Sequence, residues 1–515
     1  MGAGEMTNSD METSTGDGRQ VYSRYAALWP LVSMGLVGAE DGGTGADGGL
    51  DFELWKSIAD DAKPVRVAII DTSVAIEHPN LNGHRTDCRQ QPEGSDGCDT
   101  VIDCSRAIDF GSARLGSFPY YGAQRTIAQL LSRQRDDNWP ASGDVPLPDL
   151  DYGCDFDLPE SCMLTADLFD ALKARLSPGE KALHDTVLPA TDPRFSTHGT
   201  AIAGLVGARP ARVRLASAET RGRTGLPFSG ANPFCSLIPI STSFDPDPEQ
   251  LILALLYASL AGADVILIPR DFPDPFRTPP LLEEELRLAS ERVSISNREK
   301  TLWNELHTLT LALSRHIPIV CAAGNSGDEN IIYPANLAAE DNGIICVGAA
   351  NSNGRIAGYS SRGDAITVFA PSSDGERLDR EETRLDLQNP GYPLFPDRIR
   401  TANDANENAF SHRDVISTDI PGRFGYNGSD PVDPYERTGT RHGALLLRDF
   451  GSFYCRFGGT SAASALAAGF LSLGITADKI RCGRGTAAGI AAKAWLLENT
   501  RQLDGGQENV LFWKR

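Results

Sequence analysis

The chain is expected to fold as an α/β domain around a mainly parallel sheet, and three observations carry that expectation. Continuous apolar runs rich in β-branched residues recur at VRVAII (65–70), ADVILI (263–268), IPIVCAA (317–323) and IICVGAA (344–350). Such runs suit strands covered on both faces, as in a parallel sheet. Helical stretches stand between some of them, at 249–261 and at 281–315, the second broken near 294–297. Strand alternating with helix is the pattern of one α/β domain, whose active residues belong at the carboxyl ends of the strands.

Around this core lie polar, Pro- or Gly-rich stretches without periodicity, at 82–192, 272–280, 374–414 and 428–451. Loops of that length are uncommon inside a compact domain unless they serve a function. They read as insertions on one domain spanning 51–515. Residues 1–50 read as an N-terminal extension, disordered over the Gly-, Ser- and acid-rich stretch 1–17.

With 48 Lys and Arg against 69 Asp and Glu, the net charge is −21, which argues against a nucleic-acid or anionic-membrane partner. No apolar run reaches the roughly 18 residues needed to span a bilayer. The apolar segment AALWPLVSMGLVGA (26–39) ends like a signal-peptide cleavage site. Acidic residues precede it and Pro30 interrupts it, so packing on the domain is the competing reading. A cytoplasmic chain and a secreted one both remain open.

Five of the ten cysteines, Cys88, Cys98, Cys104, Cys154 and Cys162, fall in the first insertion. With no C-x-x-C they do not form a zinc motif. Disulfides within Cys88, Cys98 and Cys104, and between Cys154 and Cys162, compete with unpaired thiols.

Four short motifs carry chemistry. VAIIDTS (67–73) ends a buried strand in Asp71. HGTAIAGLVGA (198–208) puts His198 before a helix of small residues. CAAGNSG (321–327) contains Asn325, and GTSAASALAAG (459–469) puts Ser461 at the start of an uncharged helix. A serine hydroxyl is a weak nucleophile until a base takes its proton and a third group orients that base. His198 is the candidate base, Asp71 its orienting carboxylate and Asn325 a donor to an oxyanion. Each residue alone reads more simply as a cap, a turn or a structural side chain.

The order Asp, His, Ser, in these contexts, resembles that of the subtilisin-like serine proteases. The likeness extends through SGANPFCSLIPI (229–240), YPAN (333–336), VGAANSNGRIAGYSSRGD (347–364), FAPS (369–372) and VISTDIPG (415–422). The resemblance implies a three-layer α/β/α domain with Asp71, His198 and Ser461 as the catalytic triad and Asn325 in the oxyanion hole. It implies a serine endopeptidase acting on protein or peptide substrates without a cofactor. Calcium commonly stabilises the family, yet no D-x-[DN]-x-[DN]-G run marks a site, and no metal ligands are assigned.

The departures matter too. Ser73 replaces a glycine, and Ala465 stands where a proline is usual. The family's substrate-binding strand usually ends in Ser-x-Gly, and here Pro269, Arg270 and Asp271 take those places. Pro269 lacks a backbone donor and its neighbours are charged, so these residues are expected to alter substrate binding. The long insertions point to narrow specificity. No full propeptide precedes the core in this sequence, which leaves room for a regulatory partner. Two alternatives stand beside hydrolysis: a pseudoprotease that binds without cleaving, and a maturation protease that passes the acyl group to an amine.

Overall fold

Every apolar run read as a buried strand is one in the computed structural model. Arg66–Asp71 (β1), Ile108–Asp109 (β2), Ser236–Ser241 (β3), Val265–Ile268 (β4), Ile319–Ala322 (β5), Ile344–Ala350 (β6), Val368–Pro371 (β7), Thr500–Arg501 (β8) and Val510–Leu511 (β9) form a nine-stranded sheet. Its order is β8-β9-β7-β6-β5-β4-β1-β3-β2, and all neighbours are parallel except β8 with β9. The structure describes residues 28–39, 50–72, 74–75, 78–82, 101–103, 106–110, 150, 158–176, 193–214, 223–226, 228–242, 246–272, 297–351, 354–373, 415–419, 453–480, 487–502 and 509–514.

Two cores follow from the two faces of the strands. Successive side chains point to opposite faces. In β1, Val67 and Ile69 therefore enter one apolar cluster while Ala68 and Ile70 enter the other. The helices are Met163–Arg175 (α1), Pro193–Gly207 (α2), Pro248–Leu260 (α3), Asn297–His316 (α4) and Gly459–Thr476 (α5). Ile202 and Val206 of α2 and Leu466 and Phe470 of α5 fill the first cluster. Leu172 of α1, Leu256 of α3 and Leu309 of α4 fill the second. This is the three-layer α/β/α arrangement. Each fully buried aliphatic side chain contributes about 1.5–3 kcal/mol, so the sheet is the rigid platform on which the site is built.

Within the segment 26–39, Leu28, Leu31, Met34, Leu36 and Val37 are buried in the first cluster. Gly38–Ala39 pairs with Leu50–Asp51. Helix α5 has the length and mean hydropathy, 1.3 over 18 residues, to cross a membrane, and 94% of it is buried inside the domain. The expectation that no run is long and apolar enough is thus corrected, because scattered Ser and Thr among Ala, Leu and Gly leave the helix's mean hydropathy high.

Part of the insertion 82–192 belongs to the core. β2 adds an edge strand beside β3. Leu168, Leu172 and Leu176 recur every fourth residue and are buried, the period of a helix face. The buried carboxylate of Glu305 on α4 accepts the amides of Leu164 (3.2 Å) and Thr165 (2.6 Å) and the Thr165 hydroxyl (2.7 Å). It thereby satisfies donors that the start of α1 leaves orphaned.

Cys162 is a free thiol, so it forms no bridge to Cys154. Its burial at the start of α1 beside Glu305 places it in packing. Cys235, Cys321, Cys346 and Cys455 are likewise buried and free, and burial pushes the Cys235 thiol up to about 12. Cys88, Cys98, Cys104, Cys154 and Ser73 lie outside the described residues, as do 273–280, 374–414 and 428–451.

Candidate active site

At the carboxyl ends of three adjacent strands the chain presents Asp71 at the end of β1, Pro269 and Arg270 after β4, and Asn325 after β5. Helices α2 and α5 bring His198 and Ser461 to the same edge. Asp71 is the last residue of β1 and is 1% exposed. One carboxylate oxygen accepts the Thr72 amide at 2.6 Å and the Thr72 hydroxyl at 3.3 Å. The other is 2.7 Å from Nδ1 of His198. An ionised carboxylate only accepts, so Nδ1 carries the proton and Nε2 is left with a lone pair. Burial is the largest influence on Asp71 and acts to raise its pKa. The attraction of His198, the hydrogen bond from it, the charge of Arg270 and the Thr72 amide outweigh burial and hold the carboxyl below 3.8.

His198 sits in the second turn of α2, which begins five residues before it at Pro193. The sequence placed the histidine just ahead of its helix. Proline is suited to a first helical position, so PRFSTHG already held the earlier start. The imidazole packs edge-on to Phe457, ring centroids 5.2 Å apart, which ties it to the approach to α5.

Two hydroxyls fasten α2. Ser417 donates to the Ala201 carbonyl at 2.5 Å and Thr418 to the Thr200 carbonyl at 2.7 Å, while the Thr200 hydroxyl accepts the Ala75 amide at 2.7 Å. A Cβ at Gly204 would lie 2.1 Å from the Thr418 hydroxyl, and one at Gly469 would lie 2.8 Å from the Val206 carbonyl. The small residues of both motifs are thus required by close approach.

Ser461 lies in the first turn of α5, whose first residue, Gly459, has φ +75°. A side chain there would also press on the Asn325 amide at 3.1 Å, so glycine fits on both counts. The Ser461 hydroxyl donates to the Pro269 carbonyl at 2.8 Å. Among the described residues it makes no hydrogen bond to His198. The structure therefore joins Asp71 to His198 and Ser461 to Pro269.

Asn325 is exposed, and its side-chain oxygen is held by the Thr460 amide (2.8 Å) and hydroxyl (3.0 Å). That leaves the NH2 end as its donor. The Thr460 hydroxyl also accepts the Gly324 amide at 3.0 Å, and Ser372 donates to the Gly459 carbonyl at 2.9 Å. Tyr359 donates to Ser372 at 2.8 Å. The sequence motifs around Tyr359 and Ser372 thus form a buried polar prop beneath the serine helix. Hydroxyls recurring in apolar strands and turns were its only advance sign.

The segment after β4 meets Ser461 through the Pro269 carbonyl. Pro269 is buried, Arg270 is half-buried and Asp271 is exposed. The Arg270 guanidinium lies 5.6 Å from the centre of the Phe272 ring. Among the described residues no group of three or more His, Cys, Asp or Glu side chains is placed to hold a metal ion.

The chain matches the subtilase family (Peptidase_S8) over residues 62–511. No curated protein matches it in sequence. Solved structures similar to it include the nisin leader peptidase of Lactococcus lactis, with 14% identity, TM-score 0.44, and 95% of this chain and 93% of that one covered. The epidermin leader peptide processing serine protease of Staphylococcus aureus has 14% identity, TM-score 0.45, and 96% and 79% covered. A cold-adapted subtilisin-like serine proteinase has 11% identity, TM-score 0.37, and 88% and 89% covered. The family match runs from just before β1 to the last residue of β9, across the whole sheet and every motif at its edge: this chain belongs to the subtilase family and is a serine-type peptidase.

Proposed function

We propose that the protein is an endopeptidase of narrow specificity, in which Ser461 attacks the peptide carbonyl and is acylated. His198 takes the Ser461 proton at Nε2 and passes it to the leaving amine. The observation that carries this reading is the 2.7 Å contact of His198 Nδ1 with the buried Asp71 carboxylate. It selects the tautomer with a basic Nε2 and stabilises the imidazolium that forms next. Attack first requires the Ser461 hydroxyl to leave the Pro269 carbonyl for that nitrogen.

The tetrahedral oxyanion would then receive the Asn325 NH2, whose orientation Thr460 fixes in advance. A donor aimed where charge develops contributes about 2.7–4 kcal/mol to the transition state. Water then repeats the sequence on the acyl-enzyme. Acyl transfer by this set of groups calls for no cofactor. Narrow specificity is supported by Pro269, which offers no amide to a substrate backbone pairing beside β4, and by the charge that follows it.

Labelling with a fluorophosphonate probe tests the reading. The wild-type protein should be labelled at Ser461 and should cleave peptides, and Ser461→Ala should do neither while keeping its unfolding transition. An unlabelled but folded wild-type protein would overturn it.

A further inference from the structure

We propose that the segment 359–361 positions the Asn325 amide, by holding both the loop that carries Asn325 and the peptide unit to which Asn325 is bonded. This deepens the catalytic reading above and rests on it. Tyr359, Ser361 and Ser372 are positioning residues, and Asn325 is the group that meets the oxyanion.

One hold runs through a single peptide unit. Its N–H, that of Thr460, donates to the Asn325 side-chain oxygen at 2.8 Å. Its carbonyl, that of Gly459, accepts the Ser372 hydroxyl at 2.9 Å. A peptide unit is planar, so fixing the carbonyl fixes the direction of the N–H. Gly459, at φ +75°, has the widest backbone freedom of any residue type, so the plane depends on an outside hold. Ser372 has one hydroxyl proton and gives it to Gly459. It therefore meets Tyr359 as an acceptor, at 2.8 Å. The Tyr359 proton is shared with the Ser373 carbonyl, also at 2.8 Å. Tyr359 and Ser372 are both buried, so water does not compete for these bonds.

The second hold is on the Asn325 loop itself. The Ser361 amide donates to the Gly324 carbonyl at 2.9 Å. The Ser361 hydroxyl lies 3.0 Å from that of Ser326. Both sequence neighbours of Asn325 are thus tied to one residue. The fit is close, since a Cβ at Gly324 would lie 2.8 Å from the Ser361 hydroxyl oxygen. Between the two holds, the Ser360 hydroxyl accepts the Ala349 amide at 3.0 Å, which anchors the segment to β6. Asn325 is exposed, so packing does not fix its side chain and hydrogen bonds must. An oxyanion donor acts only when aimed in advance.

The test is a set of double-mutant cycles. kcat and KM are measured for Tyr359→Phe, Ser361→Ala and Ser372→Ala, each alone and combined with Asn325→Ala. Each change alone should lower kcat about three- to tenfold with KM unchanged. With Asn325→Ala, the same change should cost less than about twofold, because the group it orients is gone. A merely structural role would give equal losses in both backgrounds, and that result overturns the proposal. Unchanged kcat in all three folded single variants overturns it too. Tyr359→Phe removes one oxygen and keeps the ring, so it carries the comparison if a serine variant does not fold. Fluorophosphonate labelling of wild-type Ser461 and the kcat of Asn325→Ala separate the two levels. With labelling and a loss in Asn325→Ala, a failed cycle refutes the positioning alone. Without them the catalytic reading falls and takes this one with it.

Discussion

The hydroxyl of Ser461 donates to the backbone carbonyl of Pro269 at 2.8 Å, so the proposed nucleophile rests bonded to the segment that follows β4. Proline keeps that carbonyl as an acceptor and removes the amide that would otherwise pair with an extended peptide. Pro269→Ser restores the amide. Because one net hydrogen bond is worth about 0.5–1.5 kcal/mol, kcat/KM on a long peptide should rise about 2- to 13-fold. A short ester that does not reach the strand should show no gain, and comparing the two substrates checks the point.

Asp71→Asn should lower kcat by about four orders of magnitude, because the amide can present its NH2 to Nδ1 and favour the wrong tautomer. Ionised Asp71 also contributes to stability. Its folded pKa lies below 3.8, so the contribution is complete above that value and is lost as pH falls further, through the folded pKa. Unfolding midpoints measured from pH 5 down to pH 2 should fall less steeply in the variant.

Asn325→Ala should reduce kcat by about 10²–10³-fold with little change in KM, as expected for a donor used only in the transition state. Thr460→Val removes the hydroxyl that bonds the Asn325 oxygen and the Gly324 amide. It should lower kcat in the same direction by about tenfold. Steady-state kinetics on one peptide read both.

His78 gives the fold an acid-sensitive joint. Its ring is buried, Nε2 donates to the Phe453 carbonyl at 2.9 Å and Nδ1 accepts the Asn80 amide at 3.1 Å. Burial pulls its pKa from 6.5 to about 4, against the smaller opposing effect of the Phe453 bond. The unfolded chain therefore binds the proton first. The stabilisation is whole above pH 6.5 and is lost as pH falls toward 4, amounting to about 3 kcal/mol. Denaturant unfolding across that window should show this slope in wild type and a flatter one in His78→Gln.

Glu305→Ala should destabilise the domain by about 2–3 kcal/mol, because it strands the Thr165 amide and hydroxyl and the Leu164 amide at the start of α1. Loss of α1 protection in hydrogen exchange, ahead of the sheet, would show that this carboxylate is what docks the helix.

The sheet and its buried strands were legible in the chain because a strand covered on both faces must be apolar at every position, as VRVAII and IICVGAA are. The four candidate motifs stood out because each combines a reactive side chain with small neighbours that permit close packing. Less was visible where polar residues do structural work. Helix α1 carries leucines at every fourth position, yet its capping carboxylate comes from Glu305, 140 residues away from Thr165. Likewise, no local pattern announces that Ser417 and Thr418 will fasten α2, or that Thr460 will hold Asn325, since each bond joins segments more than 130 residues apart. Composition and periodicity act within a few residues, and by themselves they determined the four central apolar strands β1, β4, β5 and β6, most helix positions and the chemical inventory. Only the tertiary structure decided that Asp71 pairs with His198, that Ser461 rests on Pro269, that Cys162 stays unpaired and that Arg270 acts on Asp71. Those outcomes depend on distances between strands and helices that meet only when both faces of the sheet are buried.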